Sequence, residues 1–97
     1  MSWWLLEYDL VADHVERRGE FRAEHLALAQ AAAERGELVL AGALAEPMDR
    51  ALLVWDVEEP EVITRFAEAD PYVVNGLAHT WRVRPWNVVL GTAVSDS

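Results

Sequence analysis

The stretch VLAGALAEPMDRALLVWDV, residues 39–57, decides how the chain is to be read. Val39–Leu44 and Ala51–Val57 are short apolar runs, and Ala45-Glu46-Pro47-Met48-Asp49-Arg50 between them has the composition of a hairpin loop. A hairpin in the middle of the chain leaves room for one further unit on each side. Upstream, Ser2–Val11 alternates in part, with Trp4, Leu6, Tyr8 and Leu10 on one face and Trp3, Leu5, Glu7 and Asp9 on the other. That is the pattern of a strand. Ala12–Gly19 then reads as a charged connection, and Glu20–Arg35, rich in alanine, leucine and glutamate, as a helix closed by Gly36.

Downstream, Glu58-Glu59-Pro60-Glu61 sets acids and a proline where a helix N-terminus favours them, and Val62, Ile63, Phe66 and Ala67 follow as a stripe at helical spacing. Pro71 disfavours helical geometry at the residue before it, so Asp70 is expected at the helix break, followed by a turn through Asn75-Gly76. Leu77–Leu90 reads as a fourth strand and the residues from about 91 as a polar tail. No repeat or linker interrupts residues 1–97, which read as one domain.

The order β-α-β-β-α-β predicts a ferredoxin-like α+β fold: a four-stranded antiparallel sheet with both helices on one face. The other face stays uncovered. Trp3, Trp4, Trp81 and Trp86 divide between the two faces of strands one and four, so large aromatic surface is expected to remain after the helices dock. A homodimer through the open sheet face would cover it. Trp81 and Arg82 are successive residues of strand four, so only one of them can face the helices; the sequence leaves open which.

Composition narrows the function. At 53% hydrophobic and 26% charged residues, the chain is expected to build a packed core. A lone domain this short buries only about 60 to 65% of its unfolded surface, so dimerisation would help. Seventeen carboxylates against eight basic residues, all arginine, give a net charge of −9 that repels phosphate backbones, and nucleic acid is not an expected partner. Without lysine there is no Schiff-base chemistry, and without cysteine no thiolate nucleophile, iron–sulfur cluster or disulfide. The apolar start Trp3-Trp4-Leu5-Leu6 is interrupted by Glu7 and Asp9 and has neither the basic flank nor the cleavage site of a signal peptide, so no membrane is expected and the chain reads as cytoplasmic. His14, His25 and His79 lie 11 and 54 residues apart, without the close pairs of zinc sites, and the five glycines are isolated. No metal or other cofactor is expected.

Projected on a helical wheel, Phe21, His25, Leu28, Ala29 and Ala32 fall within an arc of roughly 100°, with His25 near the middle of an apolar face. Imidazole titrates near neutrality, so His25 is the candidate proton-transfer group. The other reading is a core histidine satisfied by a backbone carbonyl or by Glu24 or Arg22. Asp70, at the break, can point back toward the packed layer and serve as its carboxylate partner; the other reading is a local turn or cap. Tyr8 and Tyr72, each with a stacking face and a polar tip, are candidate substrate contacts, or else packing residues.

Arg22-Ala23-Glu24-His25-Leu26, Leu40-Ala41-Gly42, Ala51-Leu52-Leu53-Val54, Ala69-Asp70-Pro71-Tyr72-Val73 and Val83-Arg84-Pro85-Trp86-Asn87-Val88-Val89 together resemble the YciI-like (YCII-related) family nearly end to end. The resemblance implies a dimeric ferredoxin-like α+β barrel with His25 and Asp70 as an active-site dyad. It also suggests cofactor-free proton chemistry on small, often aromatic molecules, of the type that dehydrochlorinates a chlorinated hydroxyhydroquinone. The family often has Gly-Pro where this chain has Gly42-Ala43, and Asp-Gly where it has Asp49-Arg50, so the hairpin is expected to differ.

The leading expectation is a lyase or isomerase with His25 as general base and Asp70 fixing its tautomer, acting on a small aromatic or phenolic molecule. A non-catalytic small-molecule binder and a dimeric accessory subunit are the alternatives. The enzyme needs a concave pocket holding both residues. The binder's affinity would survive loss of either, and the accessory subunit would show an exposed apolar patch beyond the dimer interface.

Overall fold

The computed structural model describes residues 2–94; the last three residues of the expected polar tail lie outside them. The elements are β1 (Trp3–Leu10), α1 (His14–Arg17), a 3₁₀ turn (Arg18–Glu20), α2 (Arg22–Glu34), β2 (Leu38–Ala43), β3 (Arg50–Asp56), α3 (Glu61–Ala69), α4 (Pro71–Val74) and β4 (Ala78–Pro85). The strands form one antiparallel sheet in the order β2-β3-β1-β4, the ferredoxin-like arrangement expected from the element order. Gly36 closes α2 with φ +79°, a backbone conformation that a side chain would strain.

β1 is a central strand, paired on both sides, and its alternation sets the two faces of the sheet. Leu6 lies opposite Leu53 of β3 and Val83 of β4; Tyr8 lies opposite Ala51 and Trp81. Opposed residues share a face. Leu6, Tyr8, Leu53 and Trp55 therefore meet Ala32 of α2 and Ile63, Phe66 and Ala67 of α3 in the core. Trp55 and Phe66 pack edge to face with ring centroids 5.0 Å apart.

The register also settles strand four. Trp81 faces the helices, half-buried against the core, and Arg82 pairs with Glu7 on the open face. There Arg82 donates to both carboxylate oxygens of Asp9, at 3.0 and 3.4 Å, and to Glu7 at 3.3 Å. Arg50 lies 3.3 Å from Asp9. The hydrogen bonds from Arg82 hold the Asp9 carboxyl below its ordinary range.

Two local readings are corrected. Strand four runs from Ala78 to Pro85 rather than from Leu77 to Leu90, because its partner gives out: Pro85 lies opposite Trp4, and Trp86 N–H makes a last bond to Trp3 O at 3.0 Å. The connection Ala12–Gly19 is not merely a charged link, because it holds α1 and most of the 3₁₀ turn. His14, the first residue of α1, is buried edge-on against Tyr72, with ring centroids 5.3 Å apart. Tertiary contact, absent from local periodicity, organises that segment.

Leu6 has no exposed surface while Val74 is 67% exposed, so their truncations should differ. Leu6→Ala should cost about 2 to 5 kcal/mol and Val74→Ala less than about 0.5 kcal/mol, measured as the change in unfolding free energy in urea.

Candidate functional site

Asp70 follows the last residue of α3 with φ −68° and ψ 121°, the extended geometry that Pro71 requires. The break starts a second short helix, α4, and the Asp70 side chain caps it by accepting from Tyr72 N–H at 3.0 Å. The residue has no exposed surface. Two side chains from distant elements complete its shell. Tyr8 on β1 donates its hydroxyl to Oδ2 at 2.7 Å, and His25 on α2 presents Nδ1 at 2.9 Å from Oδ1 and 3.0 Å from Oδ2.

Three donors converging on one buried carboxyl group is the pattern an ionised carboxylate accepts. The network therefore assigns a proton to Nδ1 of His25. The His25 ring stacks on Tyr72 with centroids 3.8 Å apart and planes within 7°, which fixes its orientation from the side. Its side chain keeps 15% exposure, where the ring reaches a cavity of about 440 Å³.

The cavity lies between the helices and the β2–β3 end of the sheet. Leu10, Leu26, Met48 and Leu53 supply apolar wall, enough to hold the body of a small organic molecule. Its polar lining is unusual for so acidic a chain. Tyr8, His14, Arg18, Arg22, His25 and Tyr72 contribute, and among the described residues no aspartate or glutamate does.

All four residues singled out from the sequence meet here, in different ways. His25 and Asp70 are in direct contact across 45 residues. Tyr8 lines the cavity, but its hydroxyl is engaged by Asp70; burial first, and then the neighbouring carboxylate, raise its pKa far above the ordinary phenol value. It is a neutral donor. Tyr72 gives its ring to His25 and its N–H to Asp70, and its buried hydroxyl has no partner among the described residues.

Sequence reasoning missed His14, Arg18 and Arg22. His14 is buried, and its Nδ1 has no hydrogen-bond partner among the described residues. Burial lowers its pKa first, and the nearby Arg18, His25 and Arg22 lower it further. Nothing in the local pattern marks it. Arg18 and Arg22 did leave a signal: they stand seven and three residues before His25, on the same face if the helical phase is carried backward. Among the described residues no three histidine, cysteine, aspartate or glutamate side chains cluster as metal ligands, and no helix is long and apolar enough to cross a membrane.

Solved structures share this fold. The 5-chloro-2-hydroxyhydroquinone dehydrochlorinase (TftG) of Burkholderia phenoliruptrix AC1100, in complex with 2,5-dihydroxybenzoquinone, is similar with a TM-score of 0.72 and 19% identity, over 88% of this chain and 93% of that one. A protein of Agrobacterium tumefaciens matches with a TM-score of 0.59 and 15% identity, over 92% of this chain and 94% of that one. A Deinococcus radiodurans protein named as a candidate antibiotic biosynthesis monooxygenase matches with a TM-score of 0.55 and 13% identity, over 98% and 99%. At these identities the likeness establishes the fold. No curated protein matches the chain in sequence. The YCII-related domain, however, matches residues 1–87, and the chain belongs to that family.

Proposed function

We propose that the protein is a lyase or isomerase that uses His25 as general base on a small aromatic or phenolic substrate. The observation that carries this reading is the placement of His25: Nδ1 is tied to a fully buried carboxylate while the ring borders a cavity of substrate size. A base needs a fixed tautomer and a partner for the charge it acquires, and Asp70 supplies both. The ligand in the Burkholderia dehydrochlorinase, a small quinone, supports a substrate of similar size and aromatic character.

In this mechanism Nε2 takes a proton from an acidic O–H or C–H of the bound molecule. The imidazolium that forms is balanced by Asp70, which stays ionised because Tyr8 and the Tyr72 N–H continue to donate to it. In an elimination the electron pair released expels a leaving group such as chloride; in an isomerisation His25 returns the proton to another atom. A positioned base contributes roughly 10² to 10⁴ in rate, enough for an activated phenol or hydroxyquinone. The reaction itself calls on no redox or metal chemistry.

Self-association through the open sheet face belongs to the same proposal. Leu5, Leu52 and Val54 form a half-buried apolar strip there, and Leu40, beside Val54, is 68% exposed. The Glu7–Asp9–Arg50–Arg82 cluster lies next to it on β1, β3 and β4, with its charges already paired within the chain. Such a surface fits a second copy of itself.

Three measurements test these statements. With 5-chloro-2-hydroxyhydroquinone as probe substrate, His25→Ala and Asp70→Asn should each lower kcat by about 10² to 10⁴. The ¹⁵N shifts of His25 should report the Nδ1–H tautomer in the native protein and lose that preference in Asp70→Asn; unchanged tautomer and turnover in Asp70→Asn would remove the dyad. In light scattering the native protein should show twice the chain mass, and Leu52→Glu, which sets a charge in the apolar strip, should shift it to a monomer.

A further inference from the structure

The arginines of this chain fall into two groups. Arg17, Arg35, Arg50 and Arg82 each lie within ion-pair distance of a carboxylate. Arg18, Arg22, Arg65 and Arg84 have no such partner among the described residues, although the chain carries seventeen acidic side chains. Unpaired arginines on a surface would signify little. Arg18 and the exposed Arg22, however, line the cavity, and no carboxylate among the described residues lines it with them. Arg18 is half-buried and held across the cavity rim, its Nη1 3.8 Å from Met48 Sδ on the β2–β3 loop.

Leu10, Leu26 and Leu53 line the same cavity as apolar wall. A cavity with cations at its rim and apolar side chains beside them is made for a molecule with a charged end and an apolar body.

We propose that the cavity selects a small organic monoanion, a carboxylate on an aromatic body, with the charged group on Arg18 and Arg22 and the body on Leu10, Leu26 and Leu53 beside His25. This assigns the substrate class and rests on the functional reading above. Guanidinium groups take a carboxylate through paired N–H donors, and the fork geometry gives orientation as well as attraction. The consequence is positional: an anion anchored at the rim presents its body to the base, and Asp70, shielded behind His25, does not face the ligand's charge. On a chain of net charge −9, the lack of acidic side chains in the lining, among the described residues, keeps repulsion away from the bound charge.

The test is binding of benzoate and of benzamide, its neutral counterpart of nearly the same shape, by calorimetry at low ionic strength. Benzoate should bind at least about tenfold more tightly, with the difference shrinking as salt is raised. Arg18→Gln and Arg22→Gln should each weaken benzoate by about tenfold and leave benzamide within about twofold. Arg65→Gln, on α3 and outside the cavity lining, should change neither. Equal binding of the two probes, no binding of benzoate, or an Arg65→Gln loss as large as that of Arg18→Gln would overturn the inference. Thermal unfolding of each variant separates loss of binding from loss of fold. Failure here is distinct from failure of the catalytic reading, which is judged by turnover and by the His25 tautomer.

Discussion

A carboxylate with no exposed surface must be satisfied by the protein itself, and Asp70 is satisfied by three elements at once. Tyr8 comes from the central strand, His25 from the long helix, and the Tyr72 N–H from the short helix that Asp70 caps. An unpaired buried charge would cost several kcal/mol, so these contacts stand or fall together. The result is a fixed junction between sheet and helices at the floor of the cavity. The Nε2 edge of His25 inherits its position from that junction as well as from its own helix.

The same constraint also sets which polar atoms around Asp70 are engaged. Tyr8 commits its hydroxyl to Asp70, and its phenol is pushed far from the range in which it could titrate. Tyr72 commits a ring face and a backbone N–H. Burial, and then neighbouring cations, hold the pKa of His14 below its ordinary value. His25 is the side chain in this group with one nitrogen held and the other nitrogen without an assigned partner, which is the division of labour a general base needs.

Charge is distributed with similar economy. On the open sheet face, Arg50 and Arg82 are absorbed by Glu7 and Asp9, while Arg84, opposite Leu5, has no carboxylate partner among the described residues. On the helix side, Arg18 and Arg22 are left for the cavity. An acidic chain thus holds a locally cationic recess, a contrast that its net charge alone does not reveal.

Much of this was legible in the sequence. The central hairpin, the alternation of β1, the apolar stripe through His25 and the break before Pro71 are local patterns, and each arises from dihedral and burial preferences acting over a turn or two. They determine the element order, the two faces of the first strand and the place of Asp70 at a helix end. Only the tertiary structure decides that Trp81 rather than Arg82 turns inward, that strand four stops at Pro85, and that His14, Arg18 and Arg22 join the site. Those outcomes depend on which strand lies beside which, and contacts spanning 45 and 62 residues are made by sheet order, which no local periodicity encodes.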